Sequence, residues 1–268
     1  MEKGRLIGQG RTAEIFEWGE NKILKLFRTG IPKILADNEY KINMELAKQE
    51  LPIPEVYDFI ELDNRFGITY ERIYGITMMK LISSNPWKVT KEAHRLAELH
   101  KGIQKKVDFE IPRNKTRLKD NIAKSDLLTD YNKKKLYEYI EKLTDDSILC
   151  HGDFHPDNII VTKEKSVIID WMTATSGNPV SDIARSSIVF RFGVIPEDKS
   201  YVEKRVIDFF RGKLYSEYLK HYLEISGISI EQIEQWELPV AAARLIEGIP
   251  HREKTNLLNF VNRKISIL

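Results

Sequence analysis

The feature that most constrains the fold of this 268-residue chain is a change in hydrophobic periodicity near residue 75. Before it, short alternating apolar runs such as AEIFEW, KILKLF and FGITYERI are separated by Gly, Asn and Asp, a pattern typical of antiparallel strands. Beyond it, apolar residues recur at helical spacing. The periodicity therefore predicts a small β-rich domain over residues 1–74, which includes a hinge, and a larger helical domain over residues 75–268.

Helical spacing is clearest between Asn85 and His100. Asn85 is predicted to cap this helix, with Pro86 at its first position. The buried stripe of the helix is predicted to contain Ala93, Leu96, Ala97 and His100. Further helices are predicted around residues 129–143, 198–226 and 231–247.

Composition narrows the functional classes. Lys and Arg total 42 against 40 Asp and Glu, and the net charge of +2 is too small to indicate a nucleic-acid or membrane-surface partner. No apolar run approaches the roughly 18 to 20 residues that cross a bilayer, and the segment MEKGRLIGQG lacks the apolar core of a signal peptide. The single cysteine, Cys150, follows the apolar run SIL, which favours a core position over a catalytic thiol. We therefore expect a reducing, cytoplasmic setting.

Two glycines, Gly8 and Gly10, are predicted to lie in a turn between strands, where bare N–H groups can approach phosphate oxygens. A plain hairpin is the alternative interpretation. The next predicted strand, NKILKLF, places Lys25 between Ile23 and Phe27 on one face. A lysine so flanked either reaches water or has an anionic partner.

The helix predicted after this strand supplies such a partner. Leu35, Glu39, Ile42 and Leu46 recur at helical spacing, so Glu39 lies within the stripe that faces the sheet. We therefore predict an ion pair between Lys25 and Glu39. A purely structural pair is one interpretation, and a lysine held to grip nucleotide phosphates is the other.

The segment CHGDFHPDNII is followed by two short β runs, NIIVTKEKSVIID, which predict a hairpin. If a three-residue turn pairs Thr162 with Ser166, Asn158 lies directly across from Asp170. Oxygens in that arrangement are close enough for Mg²⁺ to bridge them. A shift of one residue would place the two side chains on opposite faces.

Asp153 lies five residues before Asn158 in a polar loop, where it is free to orient a hydroxyl and accept its proton. His151 is predicted to brace this loop, and His155 to approach a transferring phosphate. The spacing H-x-D-x-H also fits a transition-metal site, but neither an HExxH pair nor cysteine ligands accompany it.

The combination of the glycine turn, strand lysine, helix glutamate, HGDFHPDNII, IIDW and GNPVSDIAR resembles the aminoglycoside phosphotransferase and choline kinase family. These are small-molecule kinases with a protein-kinase-like fold. The resemblance extends from Arg5 to Arg185, and more loosely to Leu245. It implies a two-lobed α+β fold, with a small antiparallel β N-lobe that has one main helix and a larger, mostly helical C-lobe.

The resemblance also implies roles for the polar residues. Asp153 matches the catalytic aspartate, and Asn158 and Asp170 match the residues that bind magnesium. Lys25 and Glu39 match the pair that positions the phosphates of the nucleotide. The implied reaction is in-line transfer of the γ-phosphoryl group of ATP or GTP to a hydroxyl of a small molecule, with Mg²⁺ as cofactor.

For the nucleotide base, the resemblance implies that Ile15 and Ile23 form an apolar roof and Ile160 the floor. The segment from Glu71 to Ile73 matches the hinge whose backbone bonds the base. Asp182 matches a helix aspartate that supports the catalytic loop from behind.

Three departures from protein kinases favour a small-molecule acceptor. Ala13 replaces the third loop glycine, His155 stands where protein kinases have a lysine, and IDW replaces DFG. No APE segment follows. A protein kinase and a non-catalytic nucleotide-binding regulator are the alternative functions.

The acceptor is the least determined part of the prediction. Residues 201–268 contain nine Asp and Glu against ten Lys and Arg, so they show no acidic excess for a polycationic antibiotic. An amino sugar, an amino alcohol or a similar compound fits the family. The predicted acceptor-site residues are Trp236, Arg244, Glu247 and His251, with a plain packing helix as the alternative.

Overall fold

The computed structural model describes residues 3–195 and 198–268. It divides into two compact units. The first contains residues up to Leu81 together with Pro156–Thr173, and the second contains Ile82–His155 and Ala174–Leu268. The boundary predicted after residue 74 stays a prediction.

The first unit is built on a five-stranded antiparallel sheet with the order β1-β2-β3-β5-β4. These strands are β1 (Leu6–Gln9), β2 (Ala13–Glu17), β3 (Lys22–Phe27), β4 (Val56–Leu62) and β5 (Arg65–Glu71). The helix α1 (Lys33–Leu46) follows β3 in the chain. A second antiparallel sheet contains β6 (Ile76–Thr77), β8 (Ile159–Val161) and β9 (Ser166–Ile168).

Strand β3 shows the alternation that its sequence predicts. Phe27 packs with Ala36 of α1 on one face of the sheet, whereas Leu24 and Leu26 pack with Trp18 on the other. Both faces of this short strand are therefore covered.

Helix α1 buries Glu39, Ile42 and Leu46 as predicted. The prediction for Leu35 is wrong, because this side chain is exposed. Leu35 lies in the first turn of α1, and the buried face of the helix begins only at Ala36.

The β8–β9 hairpin has a register one residue away from the predicted one. Ser166 pairs with Val161 and not with Thr162. Thr162 belongs to the turn, where its N–H donates to the carbonyl of Lys165 at 2.9 Å and its hydroxyl accepts the N–H of Lys165 at 2.9 Å. The threonine side chain therefore closes a longer turn and removes its own residue from the ladder.

The predicted ladder pairing of Asn158 with Asp170 is consequently wrong. Asn158 ends a short 3₁₀ helix, Pro156–Asn158, and Asp170 lies beyond the end of β9. Asp170 adopts a left-handed backbone conformation with φ 66°. The alternation of the strand does not continue to this residue, so the ladder register does not set the direction of its side chain.

The second unit is mainly helical. Its helices are α3 (Val89–Ile103), α4 (Asn114–Ala123), α5 (Asp130–Lys142), α6 (Pro179–Phe192), α7 (Tyr201–Ser226), α8 (Ile230–Arg244) and α9 (His251–Ile265), while α2 (Met78–Ser84) begins in the first unit. A two-stranded antiparallel sheet joins β7 (Ile148–Cys150) to β10 (Thr175–Gly177). None of the helices formed by residues 3–195 and 198–268 is long and apolar enough to cross a membrane.

The start of α3 differs from its prediction. The side chain of Asn85 makes no capping hydrogen bond, and Pro86–Lys88 forms a 3₁₀ turn before the α-helix begins at Val89. Pro86 fixes the start of this tighter turn, since proline supplies no N–H there. The predicted inward stripe is confirmed by the burial of Ala93, Leu96, Ala97 and His100.

Gly177 is required by close packing at the end of β10. A Cβ atom at this position would lie 2.5 Å from the Cβ of Asn114 at the start of α4. We expect Gly177→Ala to lower the free energy of unfolding by about 1–3 kcal/mol through overpacking. Thermal denaturation measures this loss. Gly102→Ala, in α3 of the same unit with nothing within 4 Å of the added Cβ, is the control and should be neutral or slightly stabilising. Equal effects of the two substitutions would contradict the packing argument.

Candidate active site

The buried cation of the first unit lies between two carboxylates. The Nζ atom of Lys25 lies 2.6 Å from Oε1 of Glu39 and 2.8 Å from Oδ1 of Asp170. Tyr70 also donates its hydroxyl to Oε1 of Glu39 at 3.2 Å. Burial disfavours the charge of Lys25, but the two carboxylates outweigh it and hold the pKa of this lysine above its ordinary value. The predicted pairing of Lys25 with Glu39 is therefore observed, and Asp170 completes it.

The register of the large sheet places other predicted site residues on the face of Lys25. Ile15 pairs with Lys25 across β2 and β3, and Gly8 pairs with Ile15 across β1 and β2. Ile23 is two residues from Lys25 on the same strand and therefore shares its face. These residues form a continuous patch beside the lysine.

The two glycines of the turn are not required by packing. A Cβ on Gly8 would come no closer than 3.6 Å to Ile15, and one on Gly10 would meet only the carbonyl of Ala13 at 3.8 Å. The N–H of Gly10 closes the turn by donating to the carbonyl of Ala13 at 2.8 Å. The space around both positions fits close approach of a ligand to the backbone.

Asn158 and Asp170 lie at the open end of the β8–β9 hairpin. A hydrogen bond of 2.9 Å from the N–H of Ile169 to the carbonyl of Asn158 joins the two arms of the hairpin there. The Asp170 side chain is 43% exposed, so one carboxylate can bind Lys25 and still face solvent. Carboxylate and amide oxygens are the hard donors that Mg²⁺ prefers, so the chemistry of this pair fits the ion. Their joint role as metal ligands stays a prediction.

The predicted hinge uses part of its hydrogen-bonding capacity within the first unit. The N–H of Glu71 donates to the carbonyl of Glu55 at 2.8 Å, and the N–H of Arg72 donates to the carbonyl of Asn21 at 2.9 Å. A nucleotide base could use these two N–H donors only by breaking their hydrogen bonds to Glu55 and Asn21. Ile73 is the next residue of the hinge, and the roles of Glu71 and Ile73 stay predictions.

Ile160 lies in the middle of β8, between Val167 of β9 and Thr77 of β6. Its predicted place below the nucleotide base stays a prediction. A Cβ on Gly75 would lie 2.5 Å from the carbonyl of Val161, so the chain before β6 passes tightly against this strand.

The loop of the second unit that contains Asp153 is held by Asp182 of α6. Oδ2 of Asp182 accepts the N–H of His151 at 2.6 Å, and Oδ1 accepts the N–H of Gly152 at 2.7 Å. Gly152 has φ 81°, a conformation that suits glycine and turns both N–H groups toward one carboxylate. His151 is fully buried, and its Nδ1 accepts the N–H of Asp153 at 3.2 Å. The prediction that His151 braces the loop is confirmed by this contact.

Asp182 is itself fixed by a buried histidine. Nε2 of His100 lies 3.0 Å from Oδ2 of Asp182, and Nδ1 of His100 lies 2.6 Å from the hydroxyl of Tyr218. An ionised Asp182 can only accept, so Nε2 carries the proton and Nδ1 of a neutral ring accepts from Tyr218. Burial raises the pKa of Asp182, but the hydrogen bond from His100, with further help from the loop, leaves it below its ordinary value.

Asp153 is partly accessible and is contacted by two side chains. Oδ1 accepts from Arg185 at 3.1 Å, and Oδ2 lies 3.4 Å from Nε2 of His155. Burial opposes its charge, but the hydrogen bond with His155 and the charge of Arg185 hold its pKa well below the usual range. Asp153 is therefore an anion at neutral pH. Its catalytic role and that of His155 stay predictions.

The sequence prediction omitted Arg185, which extends the polar network toward the C-terminal helices. Its guanidinium forms two hydrogen bonds with Glu247, and Glu247 also accepts from Arg244 at 2.7 Å. The available signal was the i, i+3 spacing of Asp182 and Arg185, which places both on one side of α6. The 62 positions between Arg185 and Glu247 left no local signal for their pairing.

Trp236, also predicted near the acceptor, is a buried residue of α8, which agrees with the packing alternative.

His151 and Cys150 complete the buried side of the Asp153 loop. Burial raises the pKa of the Cys150 thiol well above its ordinary value, which agrees with the predicted core position. Among residues 3–195 and 198–268, no three His, Cys, Asp or Glu side chains converge as metal ligands.

A model of the phosphotransferase enzyme family, APH, matches residues 3–218. Because this match covers most of the chain, the protein belongs to that family. The predicted family and the predicted phosphotransferase class are confirmed. No curated protein matches the chain significantly.

Solved structures show the same fold at low sequence identity. A thermostable mutant of aminoglycoside phosphotransferase APH(4)-Ia is 16% identical, with a TM-score of 0.67 over 99% of this chain and 95% of that chain. Amicoumacin kinase hAmiN, in complex with AMP-PNP, Ca²⁺ and Ami, is 14% identical, with a TM-score of 0.60 over 98% and 88%. The streptomycin–ATP–APH(2")-IIa ternary complex is 18% identical, with a TM-score of 0.60 over 98% and 91%. The predicted protein-kinase-like α+β fold, with an antiparallel N-lobe sheet and a helical C-lobe, is confirmed.

Asp182→Asn tests the support of the Asp153 loop. One of the two oxygens becomes an NH₂ group, which cannot accept, so we expect the free energy of unfolding to fall by about 2–4 kcal/mol at neutral pH. The lowered pKa means that ionised Asp182 stabilises the fold fully above the unfolded value of about 3.9, and that this contribution is lost as pH falls through the folded value. Urea denaturation should therefore show a full gap between wild type and variant at neutral pH, and a smaller gap below about pH 4. Asp120→Asn, at an exposed aspartate, is the control and should leave the free energy of unfolding nearly unchanged. A loss as large as that of Asp182→Asn would contradict the assignment.

Proposed function

We propose that the protein transfers the γ-phosphoryl group of ATP to a hydroxyl group of a small molecule. The observation that carries this proposal is the ion triad of the first unit, in which Lys25 bridges Glu39 and the half-exposed Asp170. A purely structural ion pair has no need of a second carboxylate that faces solvent. A lysine and an exposed carboxylate are the groups that hold nucleotide phosphates and their metal ion in phosphotransferases.

In the proposed reaction, Lys25 binds oxygens of the nucleotide phosphates and Glu39 fixes the lysine. Asn158 and Asp170 would hold Mg²⁺, which would supply positive charge beside the nucleotide phosphates. Ile15, Ile23 and Ile160 contact the nucleotide base, and the part of the backbone from Glu71 to Ile73 that is not bonded to Glu55 or Asn21 bonds its edge.

The acceptor hydroxyl is oriented by Asp153. The hydroxyl oxygen forms a bond to the γ-phosphorus while the bond from that phosphorus to the β–γ bridging oxygen breaks, and ADP departs with the electron pair. The hydroxyl proton passes to the carboxylate of Asp153, which the contacts of Arg185 and His155 keep ionised at neutral pH. His155 is proposed to stabilise charge on the transferred group.

Consumption of ATP with Mg²⁺ across a panel of amino sugars, amino alcohols, thiamine, sugars and macrolides tests the proposal. At least one compound should be phosphorylated, and chelation of the metal should abolish the transfer. Replacement of ATP by GTP in the same assay determines the nucleotide preference. Nucleotide binding without transfer to any compound would favour the regulator, and phosphorylation of a protein alone would favour a protein kinase.

Asp153→Asn separates chemistry from nucleotide binding. We expect kcat to fall by at least about two orders of magnitude, since general bases contribute roughly 10² to 10⁴. Nucleotide affinity, measured by calorimetry, should stay close to that of wild type. The control is Asp126→Asn, an exposed acid of the same unit, which should retain full turnover. Near-normal kcat for Asp153→Asn would remove Asp153 from the reaction.

Lys25→Met tests the phosphate-binding role. Loss of the cation leaves Glu39 and Asp170 without their partner, so we expect an increase of at least about tenfold in the KM for ATP and a loss of kcat. Lys22→Met is the matched control, because Lys22 lies on the same strand and on its opposite face. Unchanged kinetics in Lys25→Met, measured at saturating acceptor, would refute the assignment.

A further inference from the structure

The contact between Arg185 and Asp153 is the last link in a series of ion pairs that begins in the interior of the second unit. Nε and Nη2 of Arg244 donate to Oε1 of Glu253 at 3.0 and 2.6 Å, and Nη1 of Arg244 donates to Glu247 at 2.7 Å. Glu247 accepts from Arg185 through both of its oxygens, at 2.6 and 3.1 Å. Nη2 of Arg185 then donates to Oδ1 of Asp153 at 3.1 Å. We call these five residues the ion-pair network.

The inner end of the ion-pair network is fixed by burial and by the backbone. Arg244 and Glu253 are both buried, so neither can lose the other without leaving a charge that the interior does not solvate. Glu247 lies in the turn between α8 and α9, where its N–H donates to the carbonyl of Arg244 at 3.0 Å. Its own carbonyl accepts the N–H of Ile249 at 2.8 Å. The backbone and the carboxylate of Glu247 are therefore both held where they meet Arg185.

Helix α6 reaches the Asp153 loop from two successive turns. Asp182 binds the backbone of the loop, and Arg185, three residues later, binds the side chain of Asp153. An arginine side chain has many rotamers, so α6 alone does not set the direction of this guanidinium. The paired contact with Glu247 sets it. The buried Nε of Arg185 has no hydrogen-bond partner in the part of the chain that the structure describes, so the two carboxylates decide the orientation at the expense of this donor.

A second ion pair joins the same two elements without reaching the loop through Arg185. Arg191, in the last turn of α6, pairs with the buried Glu237 of α8. Arg191 lies about 240° around the helix from Arg185, so it points to another side of α6. Attachment of α8 to α6 therefore does not depend on the ion-pair network alone. This second pair provides a reference for a purely structural role.

The inner members of the ion-pair network lie beyond the part of the chain that the family model matches. That match ends at residue 218, whereas Arg244, Glu247 and Glu253 belong to α8, the turn after it and α9. The two last helices therefore contribute to the surroundings of Asp153 through residues outside the matched region.

We propose that Glu247 is a positioning residue for phosphoryl transfer, which fixes Arg185 so that the carboxylate of Asp153 is held in one orientation. This inference rests on the proposed function, in which Asp153 orients the acceptor hydroxyl and takes its proton. A proton acceptor must keep its geometry relative to the reacting oxygen, and a misplacement of about 1 Å can cost a factor of about 10² in rate. The turn between α8 and α9 thereby becomes part of the support for the chemistry.

Glu247→Gln tests the glutamate directly. The substitution keeps the size of the side chain but removes its charge and one accepting oxygen, so Arg185 loses its paired contact. Transfer is measured with the compound of the panel that wild type phosphorylates fastest, or with water as acceptor, as Mg²⁺-dependent hydrolysis of ATP, if no compound reacts. We expect kcat to fall by about ten- to a hundredfold, while the KM for ATP stays within about twofold of wild type.

Variants of Arg185 test whether Glu247 acts through the arginine. Arg185→Met should lower kcat at least as much as Glu247→Gln. The double variant should be no slower than Arg185→Met alone, because the glutamate then has no guanidinium to fix. Arg185→Lys retains the charge but lacks the planar fork that binds two carboxylates, so it should recover only part of kcat. If Arg185→Met does not fold, Arg185→Lys takes its place in the comparison with Glu247→Gln.

Arg191→Met and Glu237→Gln are the matched controls, since each breaks an ion pair between the same two helices. Both should lower the midpoint of urea denaturation, because a buried charge loses its partner, and both should leave kcat close to that of wild type. Urea denaturation of every variant identifies the temperature at which all of them are folded, and kcat is compared there.

The outcomes distinguish this inference from the proposed function. An unchanged kcat in Glu247→Gln, a loss no larger than that in Glu237→Gln, or strictly additive losses in the double variant would overturn the positioning role while leaving phosphotransfer intact. A rise in the KM for ATP as large as the fall in kcat would also overturn it. Failure of the proposed function would appear instead as equal rates in wild type and Asp153→Asn.

Discussion

A buried lysine that is neutralised from two sides is the constraint on which the first unit depends. Lys25 brings a full charge into an apolar face, and it persists there because Glu39 and Asp170 lie within 2.8 Å. Removing either carboxylate would leave charge that the interior cannot solvate. Asp170 reaches this position through a left-handed backbone conformation, which costs a non-glycine residue about 1–2 kcal/mol. The sheet, helix α1 and the β8–β9 hairpin are therefore held together by the same three side chains to which we assign phosphate binding.

In the second unit, two carboxylates are likewise held by polar partners, but they differ in exposure. We assign a structural role to the buried one, Asp182, and a chemical role to the partly exposed one, Asp153. Asp182 is fully enclosed and accepts from two loop N–H groups and from His100, so it is saturated and structural. Asp153 has the same charge, but its side chain is 22% exposed and is contacted by the side chains of Arg185 and His155. One carboxylate fixes the loop, and this leaves the other able to exchange partners. A rigid support behind a replaceable contact is what proton transfer to a positioned group requires.

The parts of this arrangement that were predictable from sequence are those that follow from a regular period. A strand period of two and a helix period of 3.6 are enough to place Lys25 and Glu39 face to face, because neither depends on distant residues. The hairpin register failed because a single hydroxyl, that of Thr162, decides whether its residue belongs to the ladder or to the turn. Asp170 then required a backbone conformation that no periodicity indicates. The pairing of Arg185 with Glu247 joins residues 62 positions apart, and only tertiary structure brings them together.

The charge arrangement around Asp153 also separates the fold from the choice of acceptor. Solved structures with TM-scores of 0.60 to 0.67 and identities of 14–18% show that this backbone tolerates extensive change of side chains. Within such a backbone, Lys25 and Asp182 are enclosed by regular elements, whereas Arg185 and Arg244 project from α6 and α8 and meet Glu247 and Glu253 through long side chains. Loss of a partner in either group would leave a buried charge without compensation, so such pairs change together or not at all. Since the fold persists at 14–18% identity, the choice of acceptor depends on side chains of this kind and not on the backbone that carries them.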